Sequence, residues 1–358
     1  MAQNQTARKQ GTARVVKRIL MVLCALIAAL VVVVFALWGG ELSTLKTLSR
    51  VEDDVNLFTM EYKADYALDE FLKAGASTDA ELVDFIVRQM LKGIPLNFDL
   101  PNLGCSTFAA QLTDGTPIFG RNFDMYDSPA LFVTTRPKDG YASISMVNLA
   151  YIGYNSESLP TSLTKSIMTL AAPYAPLDGV NEKGLAVGVL QIKTTPTNQQ
   201  TDKVDITTTS AIRLLLDRAA TVEEAVELLS QYDMHASAGS CYHFHIADAK
   251  GGSVIVEYID DEMNVVQGDA ATNFLLTPGE YDFGSGEDRY AVLRETLDAN
   301  GGVFESEEQA MELLKAVSQP VSEEKKSSTQ WSCVYNQQDA GVEIAMNMDY
   351  EKVYTFGL

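Results

Sequence analysis

Cys105 follows Gly104 and opens a short alternating run, Ser106 to Leu112, which a turn at Thr113-Asp114-Gly115-Thr116 returns into Pro117 to Asn122. Two alternating runs joined by such a turn describe a β-hairpin. The returning strand ends on Gly120-Arg121-Asn122-Phe123-Asp124, so Arg121 and Asp124 come back beside Cys105. A guanidinium near a thiol favours the nucleophilic thiolate, and a carboxylate can hold a nearby amine. Taken alone, a strand-opening Cys is more often a small buried hydrophobe, and an Arg and Asp at a strand end are more often an ion pair. Histidine offers little competition as a base, since the chain has only His235, His243 and His245. His243 and His245 share one strand face without a third ligand, which reads as a structural pair rather than a metal site.

The elements around this hairpin must position it. Pro95, Asn97, Pro101, Asn102 and Gly104 break periodicity just before the cysteine, and breaker-rich loops are where cleavage is tolerated. Upstream, Thr78 to Lys92 carries Leu82, Phe85, Ile86, Met90 and Leu91 at helical spacing, while residues 41 to 75 read as a polar, helix-leaning stalk. Downstream come an apolar strand over Gly184 to Lys193, helices over Ser210 to Ala219 and Val222 to Tyr232, and a second hairpin through Tyr242 to Ala247 and Ser253 to Ile259. Helices near Gly286 to Leu297 and Glu307 to Val317 precede closing strands at Trp331 to Asn336, Val342 to Met348 and Lys352 to Phe356. Hairpins, paired helices and closing strands make an α+β protein in which helices cover antiparallel sheets.

Charge narrows the function classes. The formal net charge is -21, and setting aside the five bases of the first 18 residues leaves 22 bases against 48 acids, or about -26. So acidic a body repels phosphates, which excludes nucleic-acid binding. Ile19 to Trp38 is a run of twenty residues without charge, Pro or Gly, long enough at about 1.5 Å per residue to span roughly 30 Å of hydrocarbon. With the basic cluster before it kept inside, the expected organisation is a basic cytoplasmic tail (1–18), a transmembrane helix (19–38), a stalk and pro-segment (39–104) and a catalytic domain (105–358). That makes a single-pass cell-membrane protein with its catalytic domain extracytoplasmic. Outside the span, Cys105, Cys241 and Cys333 are an odd number and cannot all pair.

The sequence resembles the N-terminal nucleophile (Ntn) amide hydrolases that include bile salt hydrolase, penicillin V acylase, acid ceramidase and N-acylethanolamine acid amidase. Gly104-Cys105-Ser106-Thr107, followed by Arg121 and Asp124 at plus 16 and plus 19, matches that family's opening motif. Asn181-Glu182-Lys183-Gly184-Leu185, Thr272-Asn273 and Asp288-Arg289-Tyr290 resemble its later motifs in order. The resemblance implies a four-layer αββα sandwich, no cofactor, and hydrolysis of a linear, non-peptide amide by the Cys105 thiolate, with that residue's own α-amine as base. An α-amine titrates at about 7.7 to 8.0 and suits that task. By position, Asp124 orients the amine, Arg121 polarises the thiol, Asn273 donates to the oxyanion and Arg289 completes the polar cluster. Gln191 stands where the family commonly has an oxyanion-hole Asn, keeping the donor but adding a methylene.

The 104 residues before Cys105 resemble the self-cleaving pro-segment of the acid amidases, so activity is expected only once the Gly104-Cys105 bond is cut. The expected partners are a small acyl- or bile-acid-like amide and the membrane, with a homo-oligomer left open. The competing classes are a catalytically silent extracellular relative that binds acyl ligands or peptides, and an anchored structural protein of unrelated α+β fold.

Overall fold

The computed structural model describes residues 2–98, 104–321 and 326–358, without the side chains of residues 2–16, 30, 31, 34 and 35. Two sheets face one another. The first has nine strands in the order Ser49–Arg50, Leu57–Tyr62, Ala130–Thr135, Ser143–Asn148, Pro176–Asn181, Ala186–Ile192, Cys241–Ala247, Ser253–Ile259 and Glu262–Gln267. The second has Ala270–Ala271, Gly104–Leu112, Pro117–Met125, Ser328–Asn336, Gly341–Met346 and Val353–Gly357 in that order, with Val303–Phe304 added beside Gly104–Leu112. The sheets approach so closely that a Cβ on Gly188 would lie 3.2 Å from Thr107 and 3.3 Å from Phe119. A side chain at this position would make those neighbours give by a few tenths of an ångström.

Helices close both outer faces. Thr208–Arg218 packs on Pro176–Asn181 and Ala186–Ile192, and Val222–Leu229 packs on Cys241–Ala247. On the other side, Glu287–Asn300 covers Gly104–Leu112, and Glu307–Ala316 covers Pro117–Met125 and Ser328–Asn336. Two of these helices start where a polar side chain satisfies a free N–H group: Thr221 Oγ1 accepts from Glu224 N at 3.3 Å, and Ser306 Oγ accepts from Gln309 N at 3.2 Å. The result is a mixed helix and sheet fold. Between the sheets Phe123 stacks on Trp331 at 4.0 Å.

Two expectations about the N-terminal part are corrected. Residues 41 to 75 are not a helix-leaning stalk. Leu57–Tyr62 is a strand of the nine-stranded sheet, paired in parallel with Ala130–Thr135 from Leu57 opposite Ala130 to Tyr62 opposite Thr135. Leu57, Phe58, Met60 and Tyr62 are buried there, so the alternation of apolar and polar residues decides the element, not helix propensity.

The second correction concerns the membrane. Ala2–Leu45 is one 44-residue helix that runs through both ends of the expected span. Among the described residues no helix is long and apolar enough to cross a membrane. The transmembrane helix, the membrane as partner and the single-pass extracytoplasmic placement are therefore withdrawn. The far end of the helix docks on the body: Thr44 is buried, and its Oγ1 accepts from Lys63 N at 2.9 Å and Ala64 N at 3.0 Å.

Candidate active site

The hairpin register fixes the site. Gly104 pairs with Asp124, Cys105 with Phe123 and Thr107 with Arg121. Residues opposite each other in an antiparallel pair share a face. Cys105, Thr107, Arg121 and Phe123 therefore look into the space between the sheets, while Asp124 lies with Gly104 on the face turned toward the covering helices. Sequence reasoning brought both Arg121 and Asp124 beside Cys105; the structure puts Arg121 on the side-chain face and Asp124 beneath the backbone.

Cys105, Asp124, Asn273 and Arg289, four of the six expected site residues, meet around the backbone of Gly104 and Cys105. Cys105 N donates to Asn273 Oδ1 at 2.8 Å, and Arg289 Nη1 donates to Cys105 O at 2.6 Å. Arg289 Nη2 also reaches Asn273 Oδ1 at 2.8 Å, and Arg289 Nη1 lies 3.4 Å from Asp124 Oδ2. The Asp124 carboxylate is further held by Thr329 Oγ1 at 2.6 Å and Gln319 Nε2 at 2.5 Å. A Cβ on Gly104 would sit 3.2 Å from Asp124 Oδ2 and 3.0 Å from Gln319 Nε2, so the absence of a side chain lets the carboxylate lie against this peptide bond. A cleft of about 600 Å³ opens over the bond, lined by Gly104, Gln191, Lys193, Asn273, Arg289 and Gln319 among others.

Arg121 is fully buried, and its Nε pairs with Asp178 Oδ2 at 3.3 Å. Tyr335 OH and Trp331 Nε1 donate to the same carboxylate. Arg121 Nη1 and Nη2 are buried without a hydrogen-bond partner, so two donors of a cation remain unused near the thiol. Cys105 is completely buried, and its thiol is pushed up to about 11: burial raises it most, Arg121 pulls it down, Asp124 raises it and Arg289 lowers it. In the intact chain the thiol is protonated near neutral pH and its amide nitrogen cannot act as a base.

Gln191 contributes differently from expectation. Its backbone oxygen accepts from Asn273 Nδ2 at 2.9 Å, while its side-chain Nε2 donates to Ser240 Oγ at 2.6 Å. Asp178, Gln319, Thr329 and Ser240 were not anticipated as parts of this arrangement. Their contacts span between 49 and 205 residues of chain, and no local spacing records them. The histidines have other partners. His243 contacts Glu257 Oε1 at 3.1 Å and Thr272 O at 2.7 Å, and His245 contacts Thr107 Oγ1 and Ser253 Oγ, each at 2.8 Å. Cys105, Cys241 and Cys333 are all free thiols. Among the described residues no cluster of three or more His, Cys, Asp or Glu is arranged to hold a metal ion.

Residues 105–279 match the model of the linear amide C-N hydrolases, choloylglycine hydrolase family. That stretch of the chain is similar to the family. The choloylglycine hydrolase match begins at Cys105 itself. A penicillin V acylase of Pectobacterium atrosepticum is 36% identical over 97 residues, which cover 23% of this chain and 25% of that protein. The alignment thus spans about a quarter of that relative's length. Among solved structures, conjugated bile acid hydrolase from Clostridium perfringens superposes with a TM-score of 0.51 at 17% identity over 71% of this chain and 92% of that one. Penicillin V acylase from Agrobacterium tumefaciens does so with a TM-score of 0.50 at 18% identity over 71% and 86%. At these identities the likeness is one of fold.

Proposed function

We propose that the chain is an Ntn hydrolase of a small linear amide, with Cys105 as nucleophile once the Gly104–Cys105 bond is cut. The observation that carries this reading is the set of polar groups held on the backbone at either side of that bond. Asn273 takes the cysteine's N–H, Arg289 its carbonyl, and Asp124 lies against Gly104, while the thiol faces a cation with unused donors. Buried polar groups cost free energy to place, and strand pairing alone does not require them there. Cutting the bond turns the amide nitrogen into an amine near Asp124 and Asn273. That amine takes the thiol proton, the thiolate adds to the substrate carbonyl, and the C–N bond breaks to leave an amine product and a thioester. Water then hydrolyses the thioester. In this reading Asn273 and the Gln191 region hold the oxyanion.

Acyl and steroid-like amides are the substrate class, because the residues around the site include Tyr151, Tyr242 and Phe123, all buried and aromatic. The test is a hydrolysis panel of conjugated bile acids, penicillin V, N-acyl amines and N-acyl amino acids, with Cys105→Ala as blank. Turnover of at least one amide that the blank lacks is expected. Ligand binding without turnover, unchanged in Cys105→Ser, would instead identify a silent binding protein.

A further inference from the structure

The segment before Cys105 is built into the body. Strand Leu57–Tyr62 extends the nine-stranded sheet. Phe71 and Phe85 pack on each other at 5.2 Å and on Tyr174 at 5.3 and 5.7 Å. Tyr62 OH donates to Leu170 O at 3.0 Å, and Tyr66 OH donates at 2.7 Å to Asp217, the partner of the buried Arg213 at 2.6 Å. Removing this segment would bare apolar surface, open a strand edge and strip a donor from a buried ion pair.

One residue of the segment leads to the site. Asp79 opens the helix Asp79–Gln89, and its Oδ2 accepts from Ala238 N at 2.8 Å. Ala238 has φ 56°, a left-handed conformation that a non-glycine residue adopts at a cost, so the carboxylate holds a strained turn. That turn delivers Ser240, whose Oγ accepts from Gln191 Nε2; Gln191 O accepts from Asn273 Nδ2, and Asn273 Oδ1 accepts from Cys105 N. Tyr242, directly opposite Gln191, is raised well above its ordinary value by burial and then by the charges of Asp79 and Cys105, which places all three in one neighbourhood.

We propose that Asp79, on the segment before Cys105, is a positioning residue for the oxyanion side of the site, acting through Ala238, Ser240 and Gln191 in the cut protein while residues 41–98 remain bound. The proposal rests on the cleavage reading above, and the two are tested separately. Intact mass reports whether a chain starting at Cys105 forms. Native mass spectrometry of the cut protein then reports retention, the expected result being one complex with the mass of the whole chain plus one water. If self-cleavage fails, a site-specific protease sequence inserted within residues 99–103 supplies the cut, and retention is read in the same way.

The role of Asp79 is read from the nitrophenolate burst with 4-nitrophenyl acetate, in which the Cys105 thiolate takes the acetyl group and nitrophenolate leaves. Asp79→Ala should slow acylation by about tenfold to hundredfold, as expected for a displaced donor. Asp79→Asn, which keeps an oxygen acceptor for Ala238 N, should stay within about threefold. If Asp79→Ala does not fold, Ser240→Ala breaks the next link and should show the same loss. A fragment that dissociates and leaves a fully active 105–358 chain, a wild-type burst in Asp79→Ala, or equal losses in the Ala and Asn variants would overturn the proposal.

Discussion

Asn273 touches both sides of the site, taking the Cys105 N–H with Oδ1 and giving Nδ2 to the Gln191 carbonyl. Asn273→Ala removes both and should lower kcat/KM by about 10² to 10³, with a smaller change in KM, as for loss of one oxyanion donor. Steady-state kinetics on the best amide of the panel measures this. The thiol gives a second test. Burial holds Cys105 up to about 11 from an ordinary value of 9.0 in the intact chain. Its alkylation by iodoacetamide should be slow at neutral pH and climb as pH rises toward 11. Linkage sets the sign for stability: a raised folded value means the contribution is intact below pH 9 and lost as pH rises through about 11. At this scale the spacing of Cys105, Arg121 and Asp124 was legible, because a hairpin converts sequence separation into register. The partners Asp178 and Thr329 were not, because they arrive from other strands.

The hairpin Cys241–Ala247 with Ser253–Ile259 carries His245 between Thr107 and Ser253. Burial, then His243 and Arg121, lowers its value from 6.5 to about 3. A depressed folded value means stability present above pH 6.5 and lost as pH falls toward 3. His245→Gln should flatten that acid-side loss in thermal melts recorded across this window. Between the two sheets, Arg121 and Asp178 form a fully buried pair. Arg121→Met leaves Asp178 uncompensated and should cost about 3 to 5 kcal/mol in denaturant unfolding, besides slowing acylation. Elements with clear periodicity, such as the two hairpins and the helices Glu287–Asn300 and Glu307–Ala316, were legible. Ala130–Thr135 and Ser143–Asn148 were not. Nearly every residue in them is buried on both faces, which erases alternation.

Across the whole molecule, the fold class could be read because hairpins, paired helices and closing strands occur in a characteristic order. The role of the first 104 residues could not. An apolar run reads by length alone as a membrane span, yet the chain continues as one helix past both ends of that run and docks at Thr44. Leu57–Tyr62, too short to announce itself, becomes part of the central sheet. Pro101 and Asn102, read as part of a cleavable loop, lie outside the described residues. The bond they lead to joins Gly104 to Cys105, where the match to known amide hydrolases starts. Intact-mass analysis of purified protein, run beside amide hydrolysis, tests the central claim most directly. A chain beginning at Cys105 should form in the wild type and not in Cys105→Ala, with activity rising in step with it. An uncut chain of full activity would contradict the account.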